Sequence, residues 1–275
     1  RMAMPALGGI LIAVFDTWVI FALGACGFLA MAATLTTIAL RPHRTATRAG
    51  VAELLHGVGY VFRQRAFFTL IPLTYALMFL GTSYLNLMPL FADAIGTSEW
   101  GYGLLISAAG VGSVIGTLWI GRYQRSPRLG WWMLAGLVGS CASLFAFVAA
   151  LAAYAVGWLT SSIALGLALT FNFSMALASS IFLVMSMTTL QLLVPDQLRG
   201  RVMSIHGITF SLIPLGALLG GALAQWWNAP GALLIHAGLL TLVVVLVFGS
   251  QRWLRQLDGL ALAPGHDGSA RGTHG

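Results

Sequence analysis

Long apolar stretches separated by short polar islands make up almost the whole chain. No charged side chain occurs from 129 to 195 or from 202 to 251. Each stretch exceeds the ~18 apolar residues that mark a candidate spanning helix. Neither shows the period of two that a lipid-facing barrel strand requires. The pattern therefore predicts helical spans and an all-α, polytopic membrane protein.

The islands are arginine-rich, and if arginine stays on the cytoplasmic side, each arginine-free stretch must leave and return, holding an even number of helices. Asp93 and Glu99 mark an outer turn between spans of about Phe67–Ala92 and Tyr102–Gly121. The stretch from Arg128 to Arg199 holds two spans that turn near Tyr154, Gly157 and Trp158, the second covering about Ser161–Leu192. Asn228, Ala229 and Pro230 separate Val202–Trp227 from Gly231–Phe248. Asp16 separates Met2–Phe15 from Trp18–Leu40, the first of which is short for a crossing and reads as truncated. Eight spans follow, with the C-terminus inside a bacterial plasma membrane.

Composition agrees with this reading. The chain is 59% hydrophobic and 8% charged, whereas about a quarter of a soluble domain is charged. The formal charge of +7 invites a nucleic-acid reading, but no basic patch is interleaved with aromatics, so the lipid bilayer is the expected partner. Cys26 and Cys141 lie inside apolar stretches, where a thiol acts as a small hydrophobe. The histidines of the tail after Gly259 are too scattered for a metal site, and neither a metal nor a cofactor is expected. Residues 41–65 form a basic linker in which Val51, Leu54, Leu55, Val58 and Phe62 share one apolar face, suited to the membrane surface. Residues 251–275 read as a disordered cytoplasmic tail.

Two segments resemble each other. From Pro5 and from Pro214 the chain runs through small residues, a Gly-Gly pair, an apolar helix, a polar turn and a second Gly/Ala-rich helix; Gly8-Gly9 matches Gly220-Gly221, and Asp16 matches Asn228. Both copies start inside. Parallel repeats of this kind suit a transporter built from two similar halves.

The island Pro195-Asp196-Gln197-Leu198-Arg199-Gly200-Arg201-Val202-Met203-Ser204, followed by Pro214-Leu215-Gly216, resembles the loop and helix after the tenth span of major facilitator superfamily exporters. Within them it is most similar to the branch of enterobactin exporters and macrolide efflux proteins. The resemblance covers Met2 to Arg255. It implies a major-facilitator-type helical bundle: residues 1–40 as the last two helices of an N-terminal half, and 66–250 as a complete C-terminal six-helix half. The family's cytoplasmic signature after the eighth span is present only in part. Gly116, Arg122, Arg125 and Arg128 keep its small residue and positive charge, but its Asp is absent.

Several residues carry candidate roles. Asp196, Arg199 and Arg201, with Arg122, Arg125 and Arg128, read either as topology anchors or as a gating latch, and both readings stay open. Tyr75, Phe79, Thr82 and Asn86 fall on one helical face; Asn172, Met175, Ser179, Phe182 and Ser186 fall on another. The polar members Tyr75, Thr82, Asn86, Asn172, Ser179 and Ser186 are candidate substrate-cavity residues. The competing reading has them bonding their own helix or a neighbour. Gly112 and Gly116, like Gly216 and Gly220, allow close helix packing. His206 and His236 are the ionisable residues within spans, and each reads first as a packing residue.

The expected function is secondary active transport: an efflux permease of alternating access for a small organic solute such as a siderophore or drug, with a proton as a possible coupling ion in an antiporter scheme. Two alternatives stand beside it. One is a truncated, inactive fragment of such a transporter. The other is an integral membrane enzyme, disfavoured because no two loops bring together His, Asp, Ser or Cys groups.

Overall fold

The computed structural model describes residues 17–37, 64–97, 99–123, 128–194 and 199–250. These fall in two units, Arg1–Leu54 and Leu55–Gly275. In the first unit, α1 (Thr17–Thr37) is an apolar helix whose Thr34, Thr36 and Thr37 hydroxyls donate to carbonyls one turn back. Such back-bonding removes the cost of carrying a hydroxyl into lipid. The first copy of the repeat is described only from Thr17 onward, and the linker before Gln64 and the C-terminal tail lie outside the described residues.

The second unit is a bundle of six helices, each long and apolar enough to cross a membrane. They are α2 (Arg65–Ala94), α3 (Glu99–Gly121), α4 (Leu129–Ala155), α5 (Ser161–Leu193), α6 (199–226) and α7 (Ala229–Ser250). Each expected span between 66 and 250 corresponds to one of them, and among the described residues every regular element is helical. This is the polytopic helical bundle that the sequence pattern demands. At 1.5 Å per residue, the 23 residues of α3 span about 35 Å, close to the hydrocarbon thickness. The 33 residues of α5 reach about 50 Å and must tilt or protrude.

The connections at one end are set by turn chemistry. Gly96 and Gly157 adopt φ values of 73° and 82°, a left-handed backbone that glycine accepts without a Cβ clash. At the α6–α7 turn, the Asn228 side-chain oxygen accepts the Gly231 N–H at 2.7 Å, satisfying a first-turn donor of α7. Ser161 at the start of α5 donates to the Ile95 carbonyl at 2.8 Å, tying two of these turns together.

Tryptophans sit at the ends of the six helices. Trp100, Trp158, Trp226 and Trp227 lie at the glycine-turn end; Trp119, Trp131 and Trp132 lie at the end that carries Arg65, Arg122 and Arg128. Amphipathic indoles favour the two membrane interfaces. The exposed surface between these belts carries many large apolar side chains, Leu118, Leu218, Leu242 and Leu246 among them.

α5 is the hub of the packing and runs against both α3 and α4. Glycines make the close approach possible. A Cβ on Gly112 would meet the Phe173 backbone carbonyl, and one on Gly116 would lie 2.6 Å from the Leu177 carbonyl oxygen. From the other side, a Cβ on Gly136 would stand 2.8 Å from the Ala178 carbonyl oxygen.

α2 is built differently. Its α-helical start, Arg65–Ala76, gives way to a π-helical turn at Leu77–Thr82, a 3-10 turn at Ser83–Leu87 and a last α-helical piece, Met88–Ala94. Pro89 accounts for part of this. It has no N–H to donate to the Leu85 carbonyl, which the Met88 N–H reaches instead in a tighter turn. α6 repeats the device, with 3-10 residues Ile208–Ser211 just before Pro214. The two irregular helices pack on each other: a Cβ on Gly216 would collide with the Phe79 carbonyl inside the π-turn, and one on Gly220 would lie 2.6 Å from Leu87.

Candidate functional site

The two polar stripes occupy different surroundings. On α5, Asn172, Ser179 and Ser186 are buried. Asn172 accepts from the Tyr84 hydroxyl of α2 and donates through its amide to the Leu105 carbonyl of α3. An amide buried in apolar surroundings is costly unless both ends are bonded, and here both are. Ser179 donates to the Met175 carbonyl and stands 3.1 Å from the Ser140 hydroxyl of α4. Ser186 lies 3.2 Å from the Thr74 hydroxyl of α2. Three positions seven residues apart thus link α5 to α2, α3 and α4.

On α2, the stripe faces outward. Phe68, Pro72, Asn86 and Leu90 are exposed, and Tyr75, Phe79 and Thr82 are half-buried between them, at spacings of three and four residues. Tyr75 donates its hydroxyl to the Ile205 carbonyl, joining α2 to α6. Thr82 has a buried hydroxyl oxygen with no hydrogen-bond partner. Asn86 presents a polar amide on the open side of α2.

Between this stripe and α5 lies a recess of about 130 Å³. Thr82 and Leu85 border it from α2, Ser113 from α3, and Ser179, Ser180 and Leu183 from α5. Its walls carry hydroxyls and apolar groups, and no charged side chain. Ser113, Ser180 and Leu183 were absent from the expected cavity set. Ser180 sits one residue along from Ser179, so a hydroxyl stripe running past both gives no hint of which one borders open space. Asn172 and Ser186 do not border the recess; both point into interhelical hydrogen bonds.

The remaining candidates divide by position. Arg122 and Arg128 are exposed at the facing ends of α3 and α4. Arg199 and Arg201 lie on the first turn of α6; their side chains, together with Asp196 and Arg125, lie outside the described residues. His236 on α7 is fully buried, with Nδ1 3.4 Å from the Ser83 hydroxyl of α2 and Nε2 unpartnered toward Gly220 of α6. His206 is buried on α6, its carbonyl accepting the Thr209 hydroxyl. Among the described residues no group of three His, Cys, Asp or Glu is placed to hold a metal.

Residues 1–267 match the family described as transmembrane secretion effector, MFS_3. The chain belongs to this family. It is accordingly a multi-pass membrane transporter of the major facilitator type, and the family is one of transporters rather than of enzymes. No curated protein and no solved structure matches the chain. The family assignment and the six membrane-length helices agree on a membrane transporter.

Proposed function

We propose that the protein is an efflux permease that carries a small, uncharged or amphipathic organic solute, of the siderophore or drug kind, out of the cell by alternating access. The observation that carries this reading is the open stripe of α2, where Asn86, Thr82 and Tyr75 sit on a helix interrupted at mid-membrane. An exposed amide within a span is unfavourable against lipid, so this face belongs against a second half of the transporter or a water-filled path. The recess beside Thr82 offers hydroxyls and apolar surface to the solute, and the absence of charge among its walls argues against a strongly ionic cargo.

The break in α2 supplies the motion. π-turns and 3-10 turns replace the regular hydrogen-bond ladder with weaker, shifted bonds and mark hinges. α6 carries its own break against the same place, so the two helices bend or slide together. In this scheme the arginine end faces the cytoplasm, the C-terminus included, and proton antiport drives export.

The test is efflux of a fluorescent amphipathic dye preloaded into cells that express the chain. Asn86→Leu should lower the initial efflux rate about tenfold, the equivalent of one lost hydrogen bond to solute or water. Insertion and protein level should stay at the wild-type value. Full efflux from a correctly inserted Asn86→Leu protein, or no efflux from the wild type above an empty-vector control, overturns the reading.

A further inference from the structure

We infer that the arginine end of α3 and α4 is a binding site for the headgroup of an anionic phospholipid. Two recesses lie there. On α3, Ile115, Leu118, Trp119 and Arg122 line one of about 220 Å³. On α4, Arg128, Trp131, Trp132 and Ala135 line another of about 590 Å³. Both sets follow the spacing i, i+3, i+4, i+7 of a single helical face.

The two faces are joined by an aromatic cluster. Trp119 and Trp132 meet edge to face with ring centres 5.3 Å apart, and Tyr123 stands 5.2 Å from Trp132 and 5.8 Å from Trp119. Such contacts hold the rings in one arrangement, and the cluster fixes the end of α3 against the start of α4. Each recess then reads the same way along its length. A guanidinium stands at the helix end, indole lies beside it, and aliphatic groups line the wall up to two turns deeper, about 10 Å along the axis.

That is the order of parts in a phospholipid. A phosphate would meet Arg122 in the α3 recess or Arg128 in the α4 recess, where planar donors suit phosphate oxygens. The glycerol backbone would lie at the level of the indoles, and the acyl chains would run along Ile115 and Leu118 or along Ala135. Basic pockets between spanning helices recognise acidic headgroups through this chemistry. A zwitterionic lipid would bring its own cation against the guanidinium and bind less well. The resident lipid would brace α3 against α4, and so the clamp that both helices place on α5.

The experiment is native mass spectrometry of the purified full chain released from detergent, after equilibration with equal amounts of phosphatidylglycerol and phosphatidylcholine of the same acyl chains. The wild type should retain phosphatidylglycerol in preference. Arg122→Gln should lower the phosphatidylglycerol retained by about half, and Arg122→Gln with Arg128→Gln should lower it about fivefold. Arg65→Gln, which removes another exposed arginine at the same end, should leave it unchanged. Equal retention of the two lipids by the wild type overturns the inference, as does an equal loss in Arg65→Gln. Displacement of the lipid by an equal concentration of glycerol phosphate also overturns it, since the site would then be one for a soluble phosphate ester. The assay reads lipid and not transport, so it stands or falls apart from the efflux reading.

Discussion

α2 and α5 look alike as strings of residues: each is an apolar helix carrying a stripe of Asn, Ser, Thr and aromatic side chains at helical spacing. Their places in the bundle are opposite. α5 is unbroken over 33 residues, and between 171 and 190 no residue of it is exposed. Its stripe bonds to three neighbours. α2 is broken twice, and its stripe includes open positions. The same polar residue types therefore do two jobs, fastening the bundle in one helix and meeting the outside in the other. What separates them is whether a neighbouring helix comes close enough to bond, and that closeness depends on glycines located elsewhere.

The largest effect should come from filling those glycines. Gly112→Ala and Gly136→Ala each place a methyl group against the α5 backbone, which cannot step aside as a flexible side chain could. Each should cost about 3 kcal/mol as overpacking forces helices apart, and the pair should abolish a cooperative unfolding transition of the purified protein in detergent. A pair of variants with wild-type thermal midpoints would mean that α5 is not clamped.

Asn172→Leu comes next. It leaves the buried Tyr84 hydroxyl without its acceptor and removes the second donor from the Leu105 carbonyl, and should destabilise by about 2–3 kcal/mol. Asn86→Leu is the counterpart on the open stripe. It should leave the thermal midpoint within the ~0.5 kcal/mol typical of surface changes while efflux falls. If both asparagines lowered stability equally, the contrast between the two helices would fail.

The smallest effect concerns a single hydroxyl pair. A double-mutant cycle of Thr74→Val and Ser186→Ala should report a coupling of about 0.6 kcal/mol, the usual worth of an interhelical hydrogen bond in a membrane bundle. Zero coupling would mean that each hydroxyl is satisfied by its own helix; Thr74 already donates to the Leu70 carbonyl.

Much of the architecture was legible along the chain. Apolar run lengths and the parity of arginine islands placed all six helices of the second unit, and the turns fell at Gly96, Gly157 and Asn228 as the residue types require. The breaks were less visible. Pro89 and Pro214 signalled a possible bend, but nothing in Leu77–Thr82 marks a π-turn. Gly81 within the turn is where three helices converge: a Cβ there would stand 3.1 Å from Leu240 of α7 and 3.3 Å from Met175 of α5.

For the candidate site, periodicity marks two polar stripes, one on α2 and one on α5. It grouped Thr82 and Ser179, which border one recess, with Asn172, which is sealed between helices. A stripe of small hydroxyl residues has the same spacing whether it faces a partner helix or a cavity, because a hydroxyl can satisfy itself on its own backbone in either setting. Charge would have broken the tie, and neither stripe carries any. Ser113 and Ser180 are therefore indistinguishable by spacing from hydroxyls that only bond their own helix.

What the sequence by itself determined is the solvent and the threading: uncharged helical runs must lie in lipid because every backbone polar group is satisfied within the helix, and arginine between them must stay at an aqueous face. Which polar side chains became cross-links and which were left open was decided only by tertiary structure. That choice depends on interhelical distance, set by glycines such as Gly112, Gly136 and Gly216 meeting the backbone of helices far away in the chain.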